Sequence, residues 1–268
     1  MNYHSDEWIM ERMKEHYNDA LSHFPEDRIV GIFYQGSGNY GLDTPNSDVD
    51  TKLIVTPTFY DLAMNRQPVS TTHVRDNNEH IDFKDIRLYI QTFRKQNLNF
   101  LEILFTEYAI INPIYKNEWD RLIANREDIA HCNLPAAIKS MQGIAYTKYK
   151  QLENESPSHM EAIAKFGYSP KELHHLLRIE EYLSRYMDGE LYEDCLVSKR
   201  PEYLKRVKDG CFTLGDARWR ANVSINRINE MCEAFLKTCS HEVDKEVDDL
   251  LNDVQYSIME IAIERELK

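Results

Sequence analysis

Nowhere does the chain carry 18 consecutive apolar residues, so no segment of it reads as a membrane-spanning helix. It also lacks any Cys-x-x-Cys pair. Its five cysteines, at 132, 195, 211, 232 and 239, are scattered and odd in number, a pattern that belongs to reduced, cytoplasmic proteins. The opening run Asn2-Tyr3-His4-Ser5-Asp6-Glu7 has neither the basic nor the apolar region of a secretory signal, which again predicts a soluble intracellular protein. The sequons at Asn154 and Asn222 then carry no consequence. A basic excess is missing as well: 32 Lys and Arg against 45 Asp and Glu give a formal charge of −13, which argues against non-specific binding to long DNA or RNA. Any nucleic-acid partner needs a local basic patch. The run from Lys199-Arg200 through Lys205-Arg206 to Lys208 is the best candidate, although it reads first as a solvated helix face. There is no internal repeat and no low-complexity tract. With 268 residues and 42% hydrophobic content the chain can bury a core, either as one large domain or as two lobes, and disorder is not expected.

What is present is concentrated between residues 36 and 50, Gly-Ser-Gly-Asn-Tyr-Gly-Leu-Asp-Thr-Pro-Asn-Ser-Asp-Val-Asp. The apolar segments Ile29-Val30-Gly31-Ile32-Phe33-Tyr34 and Leu53-Ile54-Val55 flank it. A turn at Gly36-Ser37 can bring bare backbone N–H groups to a phosphate, because Gly36 has no side chain to hold the anion away. In an extended chain Asp48 and Asp50 point the same way while Val49 faces the core. Two hard oxygen ligands on one strand suit Mg²⁺, which keeps some waters and is completed by substrate phosphates. A helix-loop-helix Ca²⁺ site is excluded, since Asp43 and Asn46 do not supply its Asp-x-Asp-x-Asp-Gly pattern or a Glu at the twelfth position.

Periodicity organises the rest. Trp8, Ile9, Met13, Tyr17, Leu21 and Phe24 fall at helical spacing, so residues 6–24 form an amphipathic helix packed on a sheet. Strands are expected at 28–35, 49–55, 71–75 and 80–83, the last two separated by the turn-forming Asp76-Asn77-Asn78. Residues 58–65 read as a short helix or loop, and residues 108–111 as an edge strand. From Lys84 the period is helical, with Ile86, Tyr89, Ile90 and Phe93 on one face and a second short helix through Leu101 and Leu104. Beyond residue 113 almost every pattern is helical, near 116–129, 134–154, 170–188, 200–209, 214–239 and 243–266. In the last of these, Val243, Val247, Leu250, Leu251, Val254, Ile258 and Ile261 form a core-facing stripe.

The turn, a ten-residue spacer from Gly38 to Ser47, and Asp48-x-Asp50 resemble the signature of the nucleotidyltransferase superfamily of DNA polymerase β. A narrower resemblance is to the RNA-ligase-associated predicted nucleotidyltransferases of bacteria and phages, through Tyr40-Gly41, Ser47-Asp48, Asn97 with Leu101-Glu102-Ile103-Leu104, and Lys171, His174, His175 and Arg178. Leu98 departs from that group, which often has proline there. The similarity touches residues 28–190. Together with the helical periodicity beyond residue 113, it implies an α+β fold, with a mixed β-sheet nucleotidyltransferase core and flanking helices over residues 1–112 and an all-α lobe over residues 113–268. The resemblance and the residues' own placement together suggest an NTP substrate, Mg²⁺ or Mn²⁺, and nucleotide contacts from Gly36, Ser37, Tyr40, Lys52, Lys171, His175 and Arg178.

The reaction these parts suit is transfer of a nucleoside monophosphate from an NTP to a hydroxyl-type acceptor, with pyrophosphate leaving and two metal ions assisting. Such a site needs a third carboxylate. Asp82, flanked by the apolar Ile81 and Phe83, is preferred to Asp85, for which a helix N-cap role suffices. Lys52 points to the same face as Asp50 and reads equally as a phosphate ligand or as the partner of an aspartate. Lys171, His174 or His175, and Arg178 share a helix face; they either close over a triphosphate or divide between core and solvent. The acceptor is open, with an RNA end among the candidates. Two other readings stand beside this one: a nucleotide-binding sensor or interaction protein without turnover, and an adenylyltransferase directed at protein side chains.

Overall fold

The computed structural model describes residues 3–45, 47–157 and 159–268; Asn2 of the opening run and Asn46 of the acidic motif lie outside the described residues. The fold is α+β. Its contacts divide the chain into two compact units, residues 1–132 with 243–268 and residues 133–242.

The first unit holds a mixed five-stranded sheet. Its strands are β1 (Ile29–Gln35), β2 (Asp50–Val55), β3 (Ser70–Val74), β4 (His80–Asp85) and β5 (Ala109–Ile111), in the spatial order β3-β4-β2-β1-β5. β2 runs parallel to β4 and antiparallel to β1, while β3 and β5 pair antiparallel with β4 and β1 at the two edges. Helices α1 (Asp6–Leu21), α2 (Phe59–Ala63), α3 (Ile86–Arg94), α4 (Leu98–Leu101), α5 (Lys116–Ala124), α6 (Arg126–His131) and α13 (Lys245–Glu266) complete the unit.

Alternation along the strands gives the sheet two faces. On one, Ile32, Tyr34, Leu53, Val55, Ile81 and Phe83 are buried against Ile9, Met13 and Ala20 of α1. Ser5 starts that helix by accepting the Trp8 N–H, and Asp6 and Glu7 sit in its first turn, where the positive end of the helix dipole favours them. On the other face Phe33 meets Trp119 of α5, with ring centroids 4.3 Å apart. The apolar stripe of α13 finds its partners here: Val247, Leu251, Val254 and Ile258 are buried, and the helix packs on α3 and α5. The sequence reading grouped this helix with the helical lobe.

The second unit is all helical, built of α7 (Leu134–Gln151), α8 (Met160–Phe166), α9 (Pro170–Met187), α10 (Tyr192–Leu196), α11 (Pro201–Lys208) and α12 (Leu214–Leu236). α9 is its centre, packed by α7, α10, α11 and α12, and Leu173, Leu176, Ile179, Tyr182, Leu183 and Tyr186 are all buried. Ser169 caps it and Pro170 occupies its first turn, where the missing N–H costs nothing. Among the described residues no helix is long and apolar enough to cross a membrane.

Candidate functional site

The Gly-Ser turn leaves β1 as a short 3-10 segment over Ser37–Tyr40. It closes over the hydroxyl of Tyr34. A Cβ at Gly36 would lie 2.8 Å from that oxygen and one at Gly38 2.7 Å from it, so both positions require glycine for close approach. The Gly38 N–H donates to the same hydroxyl at 3.2 Å. Tyr40 is buried. Ser37 Oγ lies 3.2 Å from Ser47 Oγ, which also accepts the Thr44 N–H at 2.9 Å. These contacts tie the two ends of the loop together and bring the turn beside the acidic pair. Asp43 does not join that pair; it is buried and accepts the backbone N–H groups of Tyr3 and His4 at 2.8 and 3.0 Å.

Burial alternates through the motif as an extended chain requires: Asp48 is exposed, Val49 buried, Asp50 half-buried and Thr51 buried. In the parallel register Lys52 stands opposite Asp82, so Asp50, Lys52 and Asp82 occupy one face of the sheet. Ile81 and Phe83, on either side of Asp82, are buried against α1 on the other face. Lys52 Nζ lies 3.3 Å from Asp82 Oδ2, and Thr72 of the edge strand donates its hydroxyl to Asp82 Oδ1. Asp85 takes the structural role: it caps α3 by accepting the Arg87 N–H at 2.9 Å and is buried in a two-point ion pair with the Arg87 guanidinium.

Several neighbours carry no motif and escaped the sequence reading. His80 donates its backbone N–H to Asp50 Oδ1 at 2.9 Å and holds its ring Nδ1 3.1 Å from the same oxygen. The ring of Phe100 lies under two ammonium groups, 4.2 Å from Lys52 Nζ and 4.0 Å from Lys84 Nζ. Burial pushes the pKa values of both lysines down, against the pull of Asp82. Behind the acidic pair, Glu79 is a buried hub bonded to Arg12, His16 and Arg75, and its Oε1 accepts the Val49 N–H at 3.3 Å. It therefore fixes the residue that separates the two aspartates. Burial works to raise the Glu79 pKa, but hydrogen bonds from His16 and Arg12 outweigh it and hold the carboxyl well below its ordinary range.

The other predicted nucleotide contacts lie on α9, in the second unit. Lys171 is exposed, His174 is buried, and His175 and Arg178 are partly buried. His174 donates its ring Nδ1–H to the Leu204 carbonyl at 2.9 Å. Burial still pushes its pKa down to about 4, and burial lowers that of His175 as well, with His174 adding to the effect. Glu172, in the first turn, is buried between Lys148 at 3.1 Å and His159 at 3.4 Å.

In kind, Asp48, Asp50 and Asp82 are the hard oxygen donors that Mg²⁺ or Mn²⁺ prefers. Asp50 and Asp82 are however engaged by His80, Lys52 and Thr72, and no three His, Cys, Asp or Glu side chains among the described residues form a metal-holding group. No protein-family model matches the chain, and no curated protein matches it. Among solved structures, a nucleotidyltransferase-like protein from Exiguobacterium sibiricum 255-15 aligns over 84% of this chain and 75% of its own, at 11% sequence identity and a TM-score of 0.30. A likeness that loose assigns no chemistry to individual residues here.

Proposed function

We propose that this protein is a metal-dependent nucleotidyltransferase, moving a nucleoside monophosphate from an NTP to a hydroxyl-type acceptor. The observation that supports the reading is the shared sheet face of Asp50, Lys52 and Asp82 beside the Gly36-Ser37 turn. In this reading Asp48, Asp50 and Asp82 hold the divalent ions, Mg²⁺ or Mn²⁺, which when bound offset the charge of the triphosphate and lower the pKa of the attacking hydroxyl. The turn receives the β or γ phosphate through its backbone and the Ser37 hydroxyl. Lys52, desolvated and on the same face, neutralises phosphate oxygen once it lets go of Asp82. The bond formed joins the acceptor oxygen to the α phosphorus; the bond broken frees pyrophosphate, and the acceptor proton passes to solvent. His80 and Glu79 act by position, the first orienting Asp50 and the second fixing the chain at Val49.

The engagement of Asp82 by Lys52 and Thr72 favours one second reading, a protein that binds nucleotide without turning it over. Incubation with each labelled NTP and Mg²⁺ or Mn²⁺, with and without cellular RNA and protein, separates the two. Metal-dependent pyrophosphate release that is lost in Asp50→Ala supports the transferase. Tight nucleotide binding with no release supports the binder.

A further inference from the structure

The second unit has a feature that the acidic site does not use. A cleft of about 500 Å³ is lined by residues of α9 and α12 and by Lys199, Arg200 and Tyr203. Five cationic side chains line it, Arg185, Lys199, Arg200, Arg220 and Arg227, against two acidic ones, Glu180 and Glu181. In a chain of formal charge −13 that is a local reversal of sign.

The acids are already occupied. Glu180 pairs with Arg227 at 2.9 Å, and Glu181 accepts the Ser198 hydroxyl at 2.8 Å and the Lys199 N–H at 2.6 Å and pairs with Arg200 at 3.5 Å. Arg185 is committed to Glu190 and to the Val197 carbonyl. Arg220 is different. Among the described residues its Nε is buried with no acceptor, and its terminal nitrogen bonds the Tyr203 hydroxyl at 3.5 Å. One turn further along α12, Ser224 is 1% exposed, and its hydroxyl also has no hydrogen-bond partner among the described residues. Two buried polar groups on one wall of a cationic cleft, both lacking a partner, describe a place where an anionic oxygen gains bonds that the protein alone does not supply.

Aromatic rings stand beside that place. Trp219 is 62% exposed, an unusual position for an indole, and the Arg220 guanidinium lies 5.7 Å from its centroid and 4.2 Å from that of Phe212. Arg200 lies 5.5 Å from the Tyr203 ring. An exposed indole beside a guanidinium, in a cleft lined by further cations, is an arrangement on which an unpaired base stacks while its phosphates are neutralised.

We propose that this cleft binds a single strand of nucleic acid, with a phosphate received by Arg220 and Ser224, the neighbouring phosphates by Arg200 and Arg227, and a base stacked on Trp219. A duplex keeps its bases paired and offers no free face to the indole. The cations are spread over more than one element, which suits several phosphates in succession better than a single nucleotide. This site stands independently of the reading of Asp48, Asp50 and Asp82.

The test is fluorescence anisotropy of a fluorescein-labelled ten-nucleotide RNA with the full chain at 50 and 200 mM salt. Binding is expected at the lower salt, falling about tenfold or more at the higher. Trp219→Ala is expected to weaken it about tenfold. Arg220→Ala with Arg227→Ala is expected to weaken it more, and Arg227→Glu, at a side chain 64% exposed, provides the same test without disturbing Arg220. Absence of binding at 50 mM salt, unchanged affinity in Trp219→Ala and Arg227→Glu, or equal competition by AMP or by a duplex of the same length would overturn the proposal.

Discussion

Lys52 and Asp82 face each other across the parallel pair β2 and β4, with Nζ 3.3 Å from Oδ2, the lysine side chain 3% exposed and the aspartate 35%. The pair joins a phosphate-binding candidate to a metal-binding candidate, so each holds the other back from any ligand. In water-like surroundings such a contact is weak, but here one partner is desolvated and rests on the ring of Phe100.

Removing the lysine should therefore separate two properties. Lys52→Met keeps the buried stem and deletes the charge, and its stability is expected to stay within about 1 kcal/mol of the parent, because the desolvated ammonium is removed while the Asp82 left behind is 35% exposed and still bonded by Thr72. The freed Asp82 should then bind Mn²⁺ several-fold tighter while the protein binds triphosphate more weakly. Electron paramagnetic resonance of Mn²⁺ and a fluorescent NTP titration measure the two; unchanged Mn²⁺ affinity would show that Asp82 is no ligand.

Glu79 should behave as a structural acid with a functional consequence. Glu79→Gln leaves the guanidinium groups of Arg12 and Arg75 without their shared carboxylate and is expected to cost about 3–5 kcal/mol at neutral pH. Because the folded-state pKa is depressed, this stabilisation is present above the ordinary value of 4.5 and is lost progressively as pH falls below it toward the folded-state value. Urea denaturation at pH 7 and pH 3.5 should show a large gap between parent and variant that narrows in acid. A gap independent of pH would mean that the carboxylate charge is not what holds the hub.

His174 predicts a second acid sensitivity, in the helical unit. Its folded-state pKa near 4 lies below the ordinary 6.5, so in the folded protein it stays neutral where the unfolded chain takes up a proton. Stability is full above about pH 6.5 and falls as the pH drops toward 4, by about 3 kcal/mol over that window. Histidine ¹H–¹⁵N titration of the native protein reads it directly, and a midpoint near 6.5 would contradict the buried assignment.

Much of this organisation was legible in the sequence, because it rests on local rules. Strict alternation around Val49 and around Asp82 placed both acids on the side away from the apolar residues, and the register of β2 with β4 makes those sides one. Thr58 to Asn65 contained the short helix α2, and Ala109–Ile111 is the edge strand expected there. What escaped is what depends on partners far along the chain. The stripe on α13 announced a buried face, but not that α3 and α5 would cover it. Nothing in Asn77-Asn78-Glu79-His80 distinguishes a surface turn from one whose glutamate gathers Arg12, His16 and Arg75, since those residues lie more than 60 positions earlier or on the far side of the turn. The basic run at Lys199 to Lys208 read as a solvated face, and its first two residues, both exposed, also border the cleft with Arg220 and Arg227 of α12. The helices α8 and α10 are too short, at seven and five residues, to show a period.

The central claim, that Asp48, Asp50 and Asp82 gather on a divalent cation, is tested most directly by crystals soaked with Mn²⁺ and a non-hydrolysable NTP, with data collected at the manganese edge. The account predicts an anomalous peak bounded by these three carboxylates, with the triphosphate against Gly36 and Ser37 and the Lys52–Asp82 contact opened. A bound triphosphate with no manganese at Asp50, or manganese held without Asp82, would contradict it.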